Sequence, residues 1–236
     1  PPDYLKLRIE MKNNFDSTWE EVRMQGKNLN KYPYGDLVSV FFNSLKYIKH
    51  KPNNVLEVGC GGGNNLWFIG ELGYKVFGID GSETAVKVAK KICKQRQVKV
   101  DIRHAYFEDL PFDDNSMDIV IDRESIYCGT KESIYNSLQE VARVLKRGGV
   151  FITFRFNDKN PTLKLLESSK IFGDKLETGT YTNISKGTFH NLGIVNFASL
   201  EELKGQHDFL DIAYINEHTN KTIENSSGDN EFFYSE

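Results

Sequence analysis

Apolar positions along this chain change their period in a regular order. From Asp36, Leu37, Val38, Phe41, Phe42, Leu45 and Ile48 recur at helical spacing until Pro52. Val55, Leu56 and Val58 then form a short strand-like run, followed by a bend crowded with Gly59, Gly61, Gly62 and Gly63. Leu66, Phe68, Ile69 and Leu72 mark a second helix, Gly73 stops it, and Lys75 to Ile79 predicts a second strand closing on Asp80. Ser82 is a candidate N-cap for a helix with Ala85, Ala89, Ile92 and Cys93 on one face. Val98–Arg103 and Met117–Asp122 predict the third and fourth strands. Thr130 opens a helix with the face Ile134, Leu138, Val141 and Leu145, which Gly148-Gly149 is expected to end before a fifth strand over Val150–Phe156. Strands alternating with helices in this way predict a parallel sheet covered on both faces.

Beyond residue 156 the pattern loosens. Leu163, Leu165, Leu166 and Ile171 suggest a short helix, and the whole of 157–198 is too long for an ordinary connection, so it is read as a substrate lid. Ser199 and Glu202 form a capping box. Phe209–Ile215 is expected as a sixth strand and Glu231–Ser235 as a seventh, with a polar, turn-like stretch at 217–230 between them. The expected organisation is one domain over 1–236: a cap at 1–50, a binding core at 51–156, the lid, and C-terminal strands at 199–236.

Composition narrows the partners. A formal net charge of −3 and a pI near 6.0 give no overall field for a polyanion, so nucleic acid is not expected as a partner, and with no apolar run long enough for a span neither is a membrane. The basic clusters are Lys6–Lys12 and Lys87–Lys99, the second read as a solvated helix face. Cys60, Cys93 and Cys128 lack C-x-x-C spacing and suit a reducing compartment; with no span or leader in view, the cytoplasm is expected. The chain starts at Pro1 rather than Met, so the numbering is expected to begin inside a longer chain, and a C-terminal truncation is expected too. Lys-, Asn- and Ile-rich usage points to an AT-rich bacterial source.

The glycine bend carries the candidate chemistry. Glycines between a strand and a helix let the backbone approach a ligand, and helix amides point at it. Asp80 lies 21 residues beyond Gly59, where a carboxylate meets ribose hydroxyls in nucleoside-binding βαβ units. A dinucleotide fingerprint would need glycine at position 64, where Asn64 stands. The string is instead Glu57-Val-Gly59-Cys-Gly61-Gly-Gly63, an E-x-G-x-G-x-G, and here the chain resembles the class I S-adenosylmethionine-dependent methyltransferases. Residues 104–112 (HAYFEDLPF) resemble the D-A-E-x-L-P-F segment of the family's small-molecule members, and EVARVLKRGGVFIT resembles its later stretch. Tyr106 and Phe107 depart from the expected acid and alanine, whereas Glu108 matches.

The resemblance implies a Rossmann-like α/β fold with seven strands in the order 3-2-1-4-5-7-6, the seventh antiparallel. S-adenosyl-L-methionine would be the cofactor and S-adenosyl-L-homocysteine the product. It implies that Glu57 orients the methionine ammonium, that Gly59, Cys60 and Gly61 give close backbone approach, and that Asp80 grips the ribose. Asn65, Gly81, Phe107, Glu108 and Asp122 complete the expected cofactor set, with Tyr34 or Tyr127 as an aromatic face for the sulfonium. Tyr32 and Tyr34 are candidate lid residues.

Methyl transfer is in-line displacement, so alignment and water exclusion are the protein's main tasks, joined by a base where the acceptor must lose a proton. Asp122, Arg123 and Glu124 at the end of the fourth strand are candidates for acceptor contact, with Arg123 either holding an anionic group or pairing with Glu124. His190 is a candidate base; His104 and Cys128 are read as structural. DRES stands where nucleic-acid amino-methyltransferases carry N/D-P-P-Y/F, there is no Pro-Cys, and a paired-glutamate loop and a magnesium cage are both missing. The expected activity is therefore methylation of O or N on a small-molecule acceptor by a monomer or homodimer, without a metal, in surface-glycan or secondary metabolism. A non-catalytic binding module and a protein or RNA methyltransferase are the alternatives.

Overall fold

The computed structural model describes residues 15–217, 220–224 and 231–235; the basic cluster at 6–12 lies outside them. At its centre five parallel strands run in the order β3-β2-β1-β4-β5: β1 (Asn54–Val58), β2 (Lys75–Asp80), β3 (Val100–His104), β4 (Met117–Arg123) and β5 (Leu145–Phe154). Successive residues face opposite sides, and both sides are buried. Val55, Ile119, Ile121 and Ile152 join one apolar cluster; Leu56, Val58, Ile79 and Val120 join the other.

The helices that cover these faces are α1 (Thr18–Met24), α2 (Gly35–Ser44), α3 (Asn64–Glu71), α4 (Glu83–Gln95) and α5 (Lys131–Val144). Ser82 caps α4 by accepting from the Ala85 N–H, and Thr130 caps α5 by accepting from the Ser133 N–H. Leu37 and Phe41 of α2 sit in the first cluster with Leu66 and Ile69 of α3; Ile134, Leu138 and Val141 of α5 sit in the second. At the lower end of the sheet Asp118 accepts from the Asn53 and Asn54 N–H groups and from Lys146, which together hold its carboxyl well below the usual range despite burial.

A second sheet continues from β5. The short β6 (Phe156–Asn157) pairs in parallel with β9 (Val195–Ala198), which lies next to β8 (Thr180–Thr182) and then β7 (Asp174–Glu177). With α6 (Pro161–Glu167) these strands enclose their own apolar cluster of Leu163, Leu166, Tyr181, Ile184, Phe189, Val195 and Phe197. The segment read as a lid is thus a small folded layer.

Three expectations are corrected. Phe209–Ile215 forms no strand; it follows α7 (Leu200–Gln206) as irregular chain, with Ile212, Tyr214 and Ile215 exposed. Its alternation describes two faces but supplies no hydrogen-bonding partner, and β9 is the strand that pairs with β6. The strand at 231–235 exists, as β11 (Glu231–Ser235), but it pairs antiparallel with β10 (Asn220–Glu224) in a separate ribbon, so among the described residues the order 3-2-1-4-5 is not extended to 7-6. Nor do Gly148 and Gly149 end a helix: α5 stops at Val144, β5 begins at Leu145, and the ladder to β4 shifts register between Met117 and Ile119.

Candidate functional site

A cavity of about 310 Å³ opens at the carboxyl ends of β1, β2 and β4, within the size range of small-molecule sites. Its floor is the glycine bend. Gly59, Gly61 and Gly63 all have positive φ (69°, 51° and 76°), which a side chain would strain. A Cβ on Gly59 would lie 2.3 Å from Ser125, so the turn after β4 also requires glycine there.

Two carboxylates from adjacent strands flank this floor. Asp80, 7% exposed, accepts at Oδ2 from the Gly61 N–H and at Oδ1 from the Ser82 N–H, both at 2.8 Å. Burial raises its pKa, against those two bonds. Glu57, 2% exposed, accepts at Oε1 from Asn65 Nδ2 at 2.6 Å, while its buried Oε2 has no partner. Burial pushes its carboxyl up to about 8, the Asn65 bond opposing and the charges of Asp80 and Asp122 adding to it. A buried, half-satisfied acid of this kind is a receptor for a cation or a donor.

Asn64 and Asn65 explain why glycine is absent from position 64. Asn64 Nδ2 donates to the Tyr32 carbonyl, Asn65 Oδ1 accepts from the Tyr34 N–H, and Trp67 Nε1 donates to the Lys31 carbonyl. The first turns of α3 therefore hold the chain at 31–34 over the floor. Tyr34 lines the cavity; Tyr32 is 70% exposed and does not, which corrects its reading as a lid side chain.

The N-terminal segment, expected as a cap, supplies a wall whose lining residues were not singled out from the sequence. Phe15, Asp16, Trp19, Arg23 and Asn30 all line the cavity. The Phe15 ring packs against Gly81, where a Cβ would lie 2.3 Å from it, and meets Tyr106 at 5.8 Å. Asp16 Oδ2 accepts from the Ile194 N–H at 2.9 Å, joining this segment to the folded lid. Glu20 accepts from the Ser82 hydroxyl and from both the N–H and the hydroxyl of Thr84, which secures α1 to the start of α4. Arg23 sits over Gly61 with its Nε buried and unpartnered. The residues of this segment alternate polar and aromatic without a period, so only their chemistry, Trp19 and Arg23 above all, could have drawn attention to them.

Of the other residues singled out from sequence, Cys60, Gly61, Asn65, Gly81, Phe107, Glu108, Arg123, Glu124 and Cys128 line the cavity; Asp122, Tyr127 and His190 do not. Asp122 is fully buried. Its Oδ1 accepts from the Ser125 and Ile126 N–H groups and its Oδ2 from the Thr153 hydroxyl, so it shapes the turn rather than facing a ligand. Burial pushes its carboxyl up to about 6, against those bonds. Tyr127 is buried with its hydroxyl between His207 and Thr153, which removes it as an aromatic face for the cavity. His190 is exposed and turned away, while its neighbour Phe189 faces in.

Arg123, at 14% side-chain exposure, lies between the rings of Tyr34 (4.6 Å) and Phe154 (4.8 Å) and pairs with Asp36 at 3.1 Å and with Glu124. Its charge is already matched by two carboxylates, so the expectation that it holds an anionic acceptor group gives way to the rim pairing. Glu124 has φ 59°, a conformation that non-glycine residues rarely adopt and that marks a local strain beside the cavity. The Cys128 thiol is pushed far up by burial, which disfavours the reactive thiolate. Among the described residues no group of three or more His, Cys, Asp or Glu side chains is arranged to hold a metal, and no helix is long and apolar enough to cross a membrane.

Residues 56–153 match the family model described as a methyltransferase domain. A probable S-adenosylmethionine-dependent methyltransferase of Mycolicibacterium smegmatis is 32% identical over 168 residues, covering 65% of this chain and 60% of the relative, so the chain spans less than two thirds of that protein's length. Two crystal structures share the fold. A SAM-dependent methyltransferase from Methanosarcina mazei has a TM-score of 0.62 at 20% identity, covering 86% of this chain and 94% of its own. The 1,6-didemethyltoxoflavin-N1-methyltransferase of Burkholderia thailandensis, with bound 1,6-didemethyltoxoflavin and S-adenosylhomocysteine, has a TM-score of 0.61 at 13% identity, covering 92% and 83%.

Proposed function

We propose that this chain is a class I S-adenosylmethionine-dependent methyltransferase and that it transfers the methyl group of S-adenosylmethionine to an O or N atom of a small-molecule acceptor, a reading that the matching methyltransferase-domain model and the similar relative support. One observation carries the reading: Glu57 and Asp80, from neighbouring strands, open on a single cavity across a bend of positive-φ glycines. The two carboxylates suit the two ends of such a cofactor. Asp80 would accept from the ribose hydroxyls while keeping its backbone bonds, and the unpartnered Oε2 of Glu57 would take up the methionine ammonium. Phe107 and Glu108 would border the adenine, and Gly59, Cys60, Gly61, Asn65 and Gly81 would form the backbone cradle. The bound group supplies an electrophilic methyl on a good leaving group. This chain's residues bind, align and exclude water around it.

A small acceptor is favoured because the cavity is roofed from two sides, by the segment at 15–34 and by the lid at 188–195, which meet at Asp16 and Ile194. The same arrangement supports treating 15–217 as one functional unit with two coverings. The test is calorimetric titration with S-adenosylhomocysteine and, separately, NAD, followed by a methyl-transfer screen over small O- and N-acceptors. Binding of the first ligand with turnover supports the proposal. Binding without turnover on any acceptor supports a non-catalytic module, and binding of NAD alone rejects the reading.

A further inference from the structure

We infer that the acceptor is an apolar molecule without negative charge, held against the inner wall of the lid. The inference rests on the function proposed above and deepens it. That wall is Phe156, Phe189, Leu192, Ile194 and Val195, all from the segment after β5. It is built to stay in place: the Phe156 and Phe189 rings meet edge-on at 4.7 Å, and Phe189 meets Phe197 at 5.3 Å. Phe189, Ile194 and Val195 are only 6%, 4% and 3% exposed. An acceptor bound here gains by desolvating apolar surface, and any charge that it brings in must be matched by the protein.

The charges on the cavity wall favour one sign. Asp16, Asp80 and Glu108 line it, with Glu124 paired to Arg123, and among the described residues the lining contains no lysine or histidine. Two guanidiniums are present in the lining. Arg123 is paired with Asp36 and Glu124, and Arg23 lies over Gly61, on the glycine side. An anionic acceptor at the lid wall would therefore be stripped of water beside carboxylates, with Arg123 held by Asp36 and Glu124 and Arg23 placed over the glycine bend, which is how a site disfavours a ligand by like charge.

A set of three probes of one shape tests this: 3-phenylpropan-1-ol, 3-phenylpropan-1-amine and 3-phenylpropanoate, titrated by ligand-observed NMR into protein saturated with S-adenosylhomocysteine. The alcohol and the amine are expected to bind, and the carboxylate to bind at least about 10-fold more weakly. Leu192→Arg, which places a cation on the wall, is expected to raise carboxylate affinity by about 10-fold while S-adenosylhomocysteine affinity stays unchanged. A carboxylate that binds as tightly as the alcohol overturns the inference. So does a failure of all three probes to bind, or a ranking that Leu192→Arg does not move. Failure of S-adenosylhomocysteine itself to bind overturns instead the function on which the inference rests.

Discussion

The Arg23 guanidinium lies 3.4 Å from the point where a side chain on Gly61 would begin, so the first described helix reaches directly over the glycine bend. Its Cζ also lies over the Trp19 ring, 5.4 Å from the centroid, and its Nε is buried without a partner. A cation held there suits the carboxylate of an amino-acid moiety. Arg23→Ala is expected to weaken S-adenosylhomocysteine binding by about 10-fold. Binding of 5′-methylthioadenosine, which lacks that carboxylate, should not change. Equal losses for both ligands in calorimetry would show that Arg23 only braces the fold.

Glu57 makes binding depend on pH. Its carboxyl, at about 8 in the folded chain against an ordinary 4.5, holds a proton at neutral pH. A ligand ammonium favours the ionised form, so binding near pH 7 is expected to release a proton and affinity to rise with pH up to about 8. The sign for stability is opposite. The folded chain binds this proton more tightly than the unfolded one, so the contribution of Glu57 to stability is full below about 4.5 and is lost as pH rises to about 8. Glu57→Gln should abolish the proton release, measured by calorimetry in buffers of different ionisation enthalpy, and should flatten the change in melting temperature over that window.

Asp80→Ala is expected to weaken S-adenosylhomocysteine binding by about 10-fold or more, because charge-assisted bonds to the ribose are lost. Asp80→Asn should lose less, since an amide oxygen can still accept from the Gly61 N–H. An unchanged dissociation constant in Asp80→Ala would mean that the ribose lies elsewhere.

Asp122 provides a contrast between support and chemistry. Removing its carboxylate leaves the Ser125 and Ile126 N–H groups without their acceptor and takes one of two acceptors from the Thr153 hydroxyl. Asp122→Ala is expected to cost about 1–3 kcal/mol of stability in denaturant titrations for each donor left buried and unsatisfied. Full activity in a fold of unchanged stability would contradict this assignment.

The five central strands and their helices were legible because each buries a periodic apolar face, and period is what a sequence records directly. Phe209–Ile215 carries the same alternation yet forms no strand, since period says nothing about which edge is free to pair. The cofactor side was legible for a related reason: Glu57, the glycines and Asp80 lie within one βαβ unit, and its geometry fixes their spacing. The opposite wall was not. Phe15, Asp16 and Arg23 come to the cavity from far along the chain, and Phe189 and Val195 from the other direction, through contacts such as Asp16 to Ile194 that no local pattern encodes. The same gap explains why Asp122 and Tyr127 read as ligand contacts: their positions at the end of β4 were right, but the turn folds their side chains inward.

Glu20 spans from α1 to Ser82 and Thr84, immediately beyond Asp80. Because the anchor point of the covering helix and the proposed ribose grip share one short stretch, occupancy and docking must reinforce each other to the same extent in both directions. A nucleoside in the cavity should slow proteolytic nicking of the chain between residues 15 and 24, and a Glu20 substitution should loosen a ligand bound in a cavity that Glu20 does not line.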